Sequence, residues 1–131
     1  MRAALLLIAL LLAPLLAGQG PARAAEMVET TLYFGLANAN GETVVHPSRW
    51  KDFLAEEVTP RFPDGFTVVD AQGQWKTQWG RILREETRLL IIVHARTQKA
   101  AQDIAALKAV YVKRFNQTSV LHTESSVKVV E

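Results

Sequence analysis

From Thr30 to Leu36 the chain alternates. Leu32, Phe34 and Leu36 fall on one side of an extended backbone, with Thr31, Tyr33 and Gly35 on the other, which predicts a strand. Glu26 to Glu29 reads as a solvated lead-in, and Asn38-Ala39-Asn40-Gly41 as a turn. Ser48 is placed to cap a helix in which Trp50, Phe53, Leu54 and Val58 recur at helical spacing, with Pro60 and Pro63 to stop it. Phe66 to Trp75 reads as a second strand, with Gly73 as a bulge inside it. The polar stretch Lys76 to Glu86, with Gly80 in it, reads as the loop of a wide hairpin. Thr87 to Ala95 carries Leu89-Leu90-Ile91-Ile92-Val93, apolar on both faces, as a central strand does. Thr97 caps the next helix, whose stripe is Ala101, Ile104, Ala105, Leu107, Tyr111, Val112 and Phe115, with Lys108 at its edge. Asn116 ends that helix in a left-handed conformation, and Ser119 to Val130 forms a last strand.

The order β-α-β-β-α-β with right-handed crossovers predicts an α+β, ferredoxin-like domain. Its antiparallel sheet has both helices on one face and the spatial order fourth, first, third, second. The other face is left open. Because the third strand is apolar on both sides, that open face calls for a cover.

The N-terminus changes the charge picture. Arg2, the apolar run Ala3 to Ala17 and Ala22-Arg23-Ala24 have the layout of a secretory signal peptide cleaved after Ala24. The run is short for a membrane span, which needs about 20 residues. The expectation is export to the periplasm or beyond, with no membrane attachment after cleavage. The chain has 15 Lys+Arg and 13 Asp+Glu. Losing Arg2 and Arg23 brings the two signs level, which removes the basic surface a nucleic-acid partner needs. Removing the first 24 of 131 residues leaves 107, suited to one domain over 25–131. With no cysteine in the sequence, neither a disulfide nor a lipoprotein anchor is available.

Several blocks resemble one bacterial family. Leu32-Tyr33-Phe34-Gly35-Leu36, Trp50, Phe53, the run Val58-Thr59-Pro60-Arg61-Phe62-Pro63-Asp64-Gly65-Phe66-Thr67-Val68 and Asp70-Ala71-Gln72-Gly73-Gln74-Trp75 are similar to the secreted proteins grouped as DUF3574, as are Tyr111, Phe115, Gln117 and Ser119-Val120-Leu121. The resemblance implies bacterial origin and export. It implies no mechanism and carries no catalytic residues.

Candidate chemistry is sparse. His94 and His122 are expected at one end of the sheet, roughly 10 Å apart across the first strand, which is wide for a shared metal ion. Local hydrogen bonding suits them better, and His46 sits in a loop before a proline. Asp70 lies mid-strand among apolar neighbours, where a charge needs a partner. It is either a base on the open face or a carboxylate bonded to Arg61, Gln72 or a nearby turn. Arg61, held between prolines, is placed to clamp Asp64 or Asp70. Tyr33, Trp75 and Trp79 are candidates for a binding surface near the hairpin, whereas Trp50 belongs in the core. There is no G-x-S-x-G, Walker or dinucleotide glycine pattern, and Asn116-Gln117-Thr118 matches a glycosylation sequon that a bacterial protein leaves idle. No metal or cofactor is expected.

Two functions follow. The first is a non-enzymatic binding or interaction module whose open face pairs in a homodimer or holds a small molecule or protein; Arg61, Trp75, Trp79 and His122 would serve it. The second is a small cofactor-independent enzyme of the dimeric ferredoxin-like monooxygenase or isomerase kind, with His94, Asp70 or Tyr33 in catalysis. That second reading rests on analogy of fold.

Overall fold

The computed structural model describes residues 25–130, so the signal-peptide reading of Met1 to Ala24 lies outside the described residues. The elements run β1 (Met27–Gly35), α1 (Pro47–Phe53), a π-helical stretch (Leu54–Val58), α2 (Thr59–Arg61), β2 (Thr67–Lys76), β3 (Ile82–Ala95), α3 (Gln98–Phe115) and β4 (Leu121–Val127). They form a four-stranded sheet ordered β2-β3-β1-β4, antiparallel at every pairing. This is the ferredoxin-like arrangement that the element order implies.

The boundaries differ from the sequence pattern in instructive ways. β1 takes in Met27–Glu29, because Val28 is buried and extends the alternation of Thr30, Leu32 and Phe34. Lys76 to Glu86 is not a wide loop. β3 begins at Ile82 and pairs with β2 from Lys76 onward, and the turn is closed by Thr77 N–H to the Arg81 carbonyl at 2.8 Å and Gly80 N–H to the Thr77 carbonyl at 2.9 Å. Gly80 takes φ 83°, which glycine adopts without strain. This part of the hairpin runs past the end of β1, whose pairing with β3 stops at Thr87. With less cover from the third strand, its polar residues still suit a ladder. Gly73 makes no bulge, since the register passes through it unbroken opposite Glu85.

The first helical unit starts two residues earlier than expected. His46 is the N-cap and Pro47 stands at the first helical position, where its missing N–H leaves no bond unmade. Pro60 lies inside the unit rather than ending it. A proline there cannot bond to the carbonyl four residues back and crowds it. The backbone widens into the π-helical stretch just before, and Thr59 N–H reaches the Leu54 carbonyl. Pro63 follows the end of the unit. The α3 boundaries agree with the sequence: Thr97 accepts a hydrogen bond from Ala100 N–H at 3.1 Å, and Asn116 sits at φ 50°. Ala101 and Ala105 of the expected stripe are exposed, and Ala100 is buried instead.

The core lies between the helices and one sheet face. Phe34 is its centre, with ring centroids 4.5 Å from Tyr111 and 5.5 Å from both Trp50 and Phe53. The Tyr111 hydroxyl donates to the Gly35 carbonyl at 2.7 Å, which ties α3 to the end of β1. Burial, then the nearby Glu85 charge, push the Tyr111 hydroxyl well above the ordinary tyrosine pKa, partly offset by Arg88.

Candidate functional site

In an antiparallel sheet, residues directly opposite share a face. Tyr33, Leu89 and Val69 therefore lie on the open face in one row, with Gly35, Thr87 and Ala71 in the next. At the end of β1 this face sinks into a cavity of about 490 Å³.

Two glycines let β3 side chains lie close at the cavity. A Cβ on Gly35 would stand 2.6 Å from the Glu85 carboxylate oxygens, and one on Gly73 would stand 2.6 Å from Thr87 Oγ1. Gly35 ends β1 and Gly73 lies inside β2, and at each the missing side chain leaves room for close approach. Glu85 and Thr87 occupy that room as part of the lining, and Tyr33 and Trp75 line it as well.

Two loops close the sides. The β1–α1 loop contributes Ala37, Asn38 and Ala39, and is held by Asn38 Oδ1, which accepts from Asn40 N–H at 2.9 Å and Glu42 N–H at 3.0 Å. The α3–β4 loop contributes Gln117, Thr118 and Ser119. Its path is set by the left-handed Asn116 and by Gln117 N–H bonding to the Val112 carbonyl at 3.0 Å. Thus the cap that ends α3 also shapes the cavity wall.

Glu85 is the carboxylate of this site. Its Oε2 accepts the Ala37 N–H at 3.0 Å, so one loop docks on it. Among the described residues no cation forms an ion pair with it, whereas Asp70, Glu57 and Glu124 each have one.

The residues singled out by sequence scatter. Tyr33 and Trp75 reach the cavity. Trp79 does not: it projects from the hairpin tip, 81% exposed. Asp70 is opposite Arg88, which is opposite Phe34, so it has the helix-side orientation rather than the open-face one. Its carboxylate pairs with Arg88 Nε at 3.1 Å beside a shallow groove on the β2 edge. Arg61 clamps neither Asp64 nor Asp70. It bonds one helical turn back, to the Glu57 carboxylate and carbonyl, both at 2.8 Å.

The two histidines are not at one end of the sheet. His94 is opposite Val28 and His122 opposite Leu32, four residues further along β1. Because β3 and β4 both run antiparallel to β1, the end of β3 and the start of β4 meet opposite ends of it. Both histidines share the helix-side face, away from the cavity. His94 is held by Thr30 Oγ1 and by the Ala95 carbonyl, each at 2.9 Å, with Phe62 over it at 6.1 Å. The carbonyl can only accept, so Nδ1 carries a proton. His122 Nε2 approaches Glu124 at 3.2 Å without hydrogen-bond geometry and is otherwise buried without a partner. No group of three metal-ligating side chains occurs among the described residues.

Sequence reasoning missed Glu85 because its stretch read as loop. Gly35 and Gly73 come near Glu85 and Thr87 only through the register of three strands.

The family model described as a protein of unknown function, DUF3574, matches residues 29–130, and the chain belongs to that family. No curated protein matches the chain by sequence. Among solved structures it is similar to a phage SAM lyase in complex with S-methyl-5'-thioadenosine, at 17% identity and TM-score 0.64, covering 78% of this chain and 82% of that one. The same lyase in its apo state matches at 16% identity and TM-score 0.58, covering 76% and 79%. CutA from Synechococcus elongatus complexed with Bis-Tris matches at 10% identity and TM-score 0.48, covering 79% and 81%. At these identities the likeness is one of fold.

Proposed function

We propose that this member of the DUF3574 family is an exported binding protein whose ligand is a small molecule seated in the open-face cavity. The observation that carries the reading is the open-face cavity of about 490 Å³, whose lining includes Gly35, Gly73, Glu85, Tyr33 and Trp75. Concave sites lined by apolar groups and a few placed polar ones are the usual form of small-molecule sites. Export follows from the signal-like N-terminus and is part of the proposal. So is a second copy over the apolar open face, where Val69 is 39%, Val93 44% and Leu121 61% exposed.

A metabolite library screened by thermal shift, with Trp75→Ala and Gly35→Ala as controls, tests the ligand site. Compounds that raise the melting temperature of the native protein and neither variant support it. Stabilisers that act equally on all three place binding elsewhere. Light scattering tests the second copy, with a stable monomer at high concentration counting against it.

The enzymatic reading is favoured by one comparison, the structural likeness to a SAM lyase holding S-methyl-5'-thioadenosine. On this reading Glu85 and Tyr33, which reach the cavity, replace His94 and Asp70, which do not. Incubation with SAM and chromatography for S-methyl-5'-thioadenosine tests it: release above that of Glu85→Gln supports turnover, and an unchanged substrate rules it out for SAM.

A further inference from the structure

We infer that the cavity selects an organic cation: a compact positive group, such as a quaternary ammonium or sulfonium, on an apolar body. This rests on the cavity being the ligand site. Three observations on its lining converge. It holds one carboxylate, Glu85, and among the described residues that line it there is no Lys, Arg or His. Glu85 accepts a single hydrogen bond, from a neutral amide, and has no ion-pair partner among the described residues, so much of its acceptor capacity is unused. Two aromatic side chains, Tyr33 and Trp75, are also part of the lining, and the faces of such rings attract cations.

An anion finds the opposite. It would meet the Glu85 charge with no basic side chain to neutralise it. Nor do the loop amides make an anion nest: Ala37 N–H is given to Glu85, and Asn38 N–H to the Glu42 carbonyl at 2.9 Å. A purely apolar ligand would cover Glu85 and strip its water without replacing it. A cation replaces that water with charge. Other wall groups, including Gln117, Thr118 and Ser119, are neutral and suit hydroxyl or amide functions on the ligand body.

The test uses three probes of one shape on the purified protein: choline, the uncharged 3,3-dimethylbutan-1-ol and the anionic 3,3-dimethylbutanoate. Amide NMR titrations follow Gly35, Ala37 and Gly73. Choline is expected to bind at least about tenfold more tightly than the alcohol, with the carboxylate weakest. Glu85→Gln, which keeps an acceptor for Ala37 N–H, is expected to bring choline and the alcohol within about twofold. Gly35→Ala retains the carboxylate but displaces it, and is expected to shrink the same ratio. The buried Trp50 indole signal reports that each variant is folded. Equal binding of choline and the alcohol, or a preference that survives Glu85→Gln, overturns the inference while leaving the cavity as a ligand site. No shift with any probe up to about 50 mM overturns it as well, since even a weak 1 mM site has a binding free energy near −4.1 kcal/mol and would be half filled at 1 mM. The library screen then decides the cavity separately.

Discussion

The two faces of the sheet are built on opposite principles. On the helix side, β1 sends in Val28, Thr30, Leu32 and Phe34, all buried, and large aromatic rings fill the space up to α3. On the open side, the same strand presents Tyr33 and then Gly35, whose missing side chain leaves place for the Glu85 carboxylate at the cavity. One face is packed shut and the other is left concave. A concave face with a carboxylate in its lining is the form the proposed ligand site requires. The titratable groups differ in their partners. On the helix side His94 is held by Thr30 and Ala95 and Asp70 by Arg88, although His122 Nε2 lacks a hydrogen bond, while Glu85 on the open side accepts one amide and has no ion pair among the described residues.

The sharpest way to break this contrast is to truncate each face in turn. Phe34→Ala should cost roughly 3–5 kcal/mol in urea unfolding, as expected for a large buried ring. Val93→Ala on the open face should change monomer stability by no more than about 0.5 kcal/mol. A larger, concentration-dependent loss at Val93 would place that face inside an assembly.

Tyr111→Phe should follow in size, at about 1–3 kcal/mol, because the buried Gly35 carbonyl loses its donor. The same residue predicts an alkaline limit. Folded Tyr111 holds its proton above the ordinary value of 10.0, so the unfolded chain releases that proton first. Its contribution is complete below that pH and is lost as pH rises beyond it, by up to about 1.4 kcal/mol per pH unit. Melting temperatures measured from pH 9 to 11.5 should fall more steeply in the native protein than in Tyr111→Phe. Parallel curves would remove Tyr111 as the cause.

Gly73→Ala should be smaller in stability, about 1 kcal/mol, and larger in function. The new methyl meets Thr87 Oγ1 and displaces that part of the cavity lining. A ligand that binds Gly73→Ala as well as the native protein does not sit there. Asp70→Asn should have the least effect, within about 0.5 kcal/mol, because its carboxylate is 79% exposed and its ion pair is a surface one. A loss above 2 kcal/mol would show that the Arg88 pair matters to the core.

Much of this architecture could be read from the residues, and the reasons are local. The alternation around Phe34, the Thr97 cap and the left-handed Asn116 each follow from one or two side chains, and the element order with right-handed crossovers gives the strand order. The candidate site was less legible. Asp70 drew attention as a charge within an apolar run, yet strand parity across three strands turned it to the helix-side face, where Arg88 reaches it. His94 and His122 looked like neighbours until the antiparallel register put them at opposite ends of β1. Tyr33 and Trp75 were visible as aromatics near the hairpin. Glu85 was hidden because Arg84-Glu85-Glu86 has the composition of a loop, and the hairpin that overhangs β1 lets such residues pair as a strand. What no single segment shows is that Gly35 and Gly73 flank β3 at the rows of Glu85 and Thr87, since that depends on the register of three strands.

The most direct test of the central claim is an amide and indole NMR map of whichever compound the thermal screen selects. The account predicts shifts at Gly35, Ala37, Gly73, Glu85 and the Trp75 indole, with the Trp50 indole and His94 unmoved. Shifts centred on the Asp70–Arg88 groove or on the Trp79 hairpin tip, with Gly35 and Gly73 silent, would contradict it.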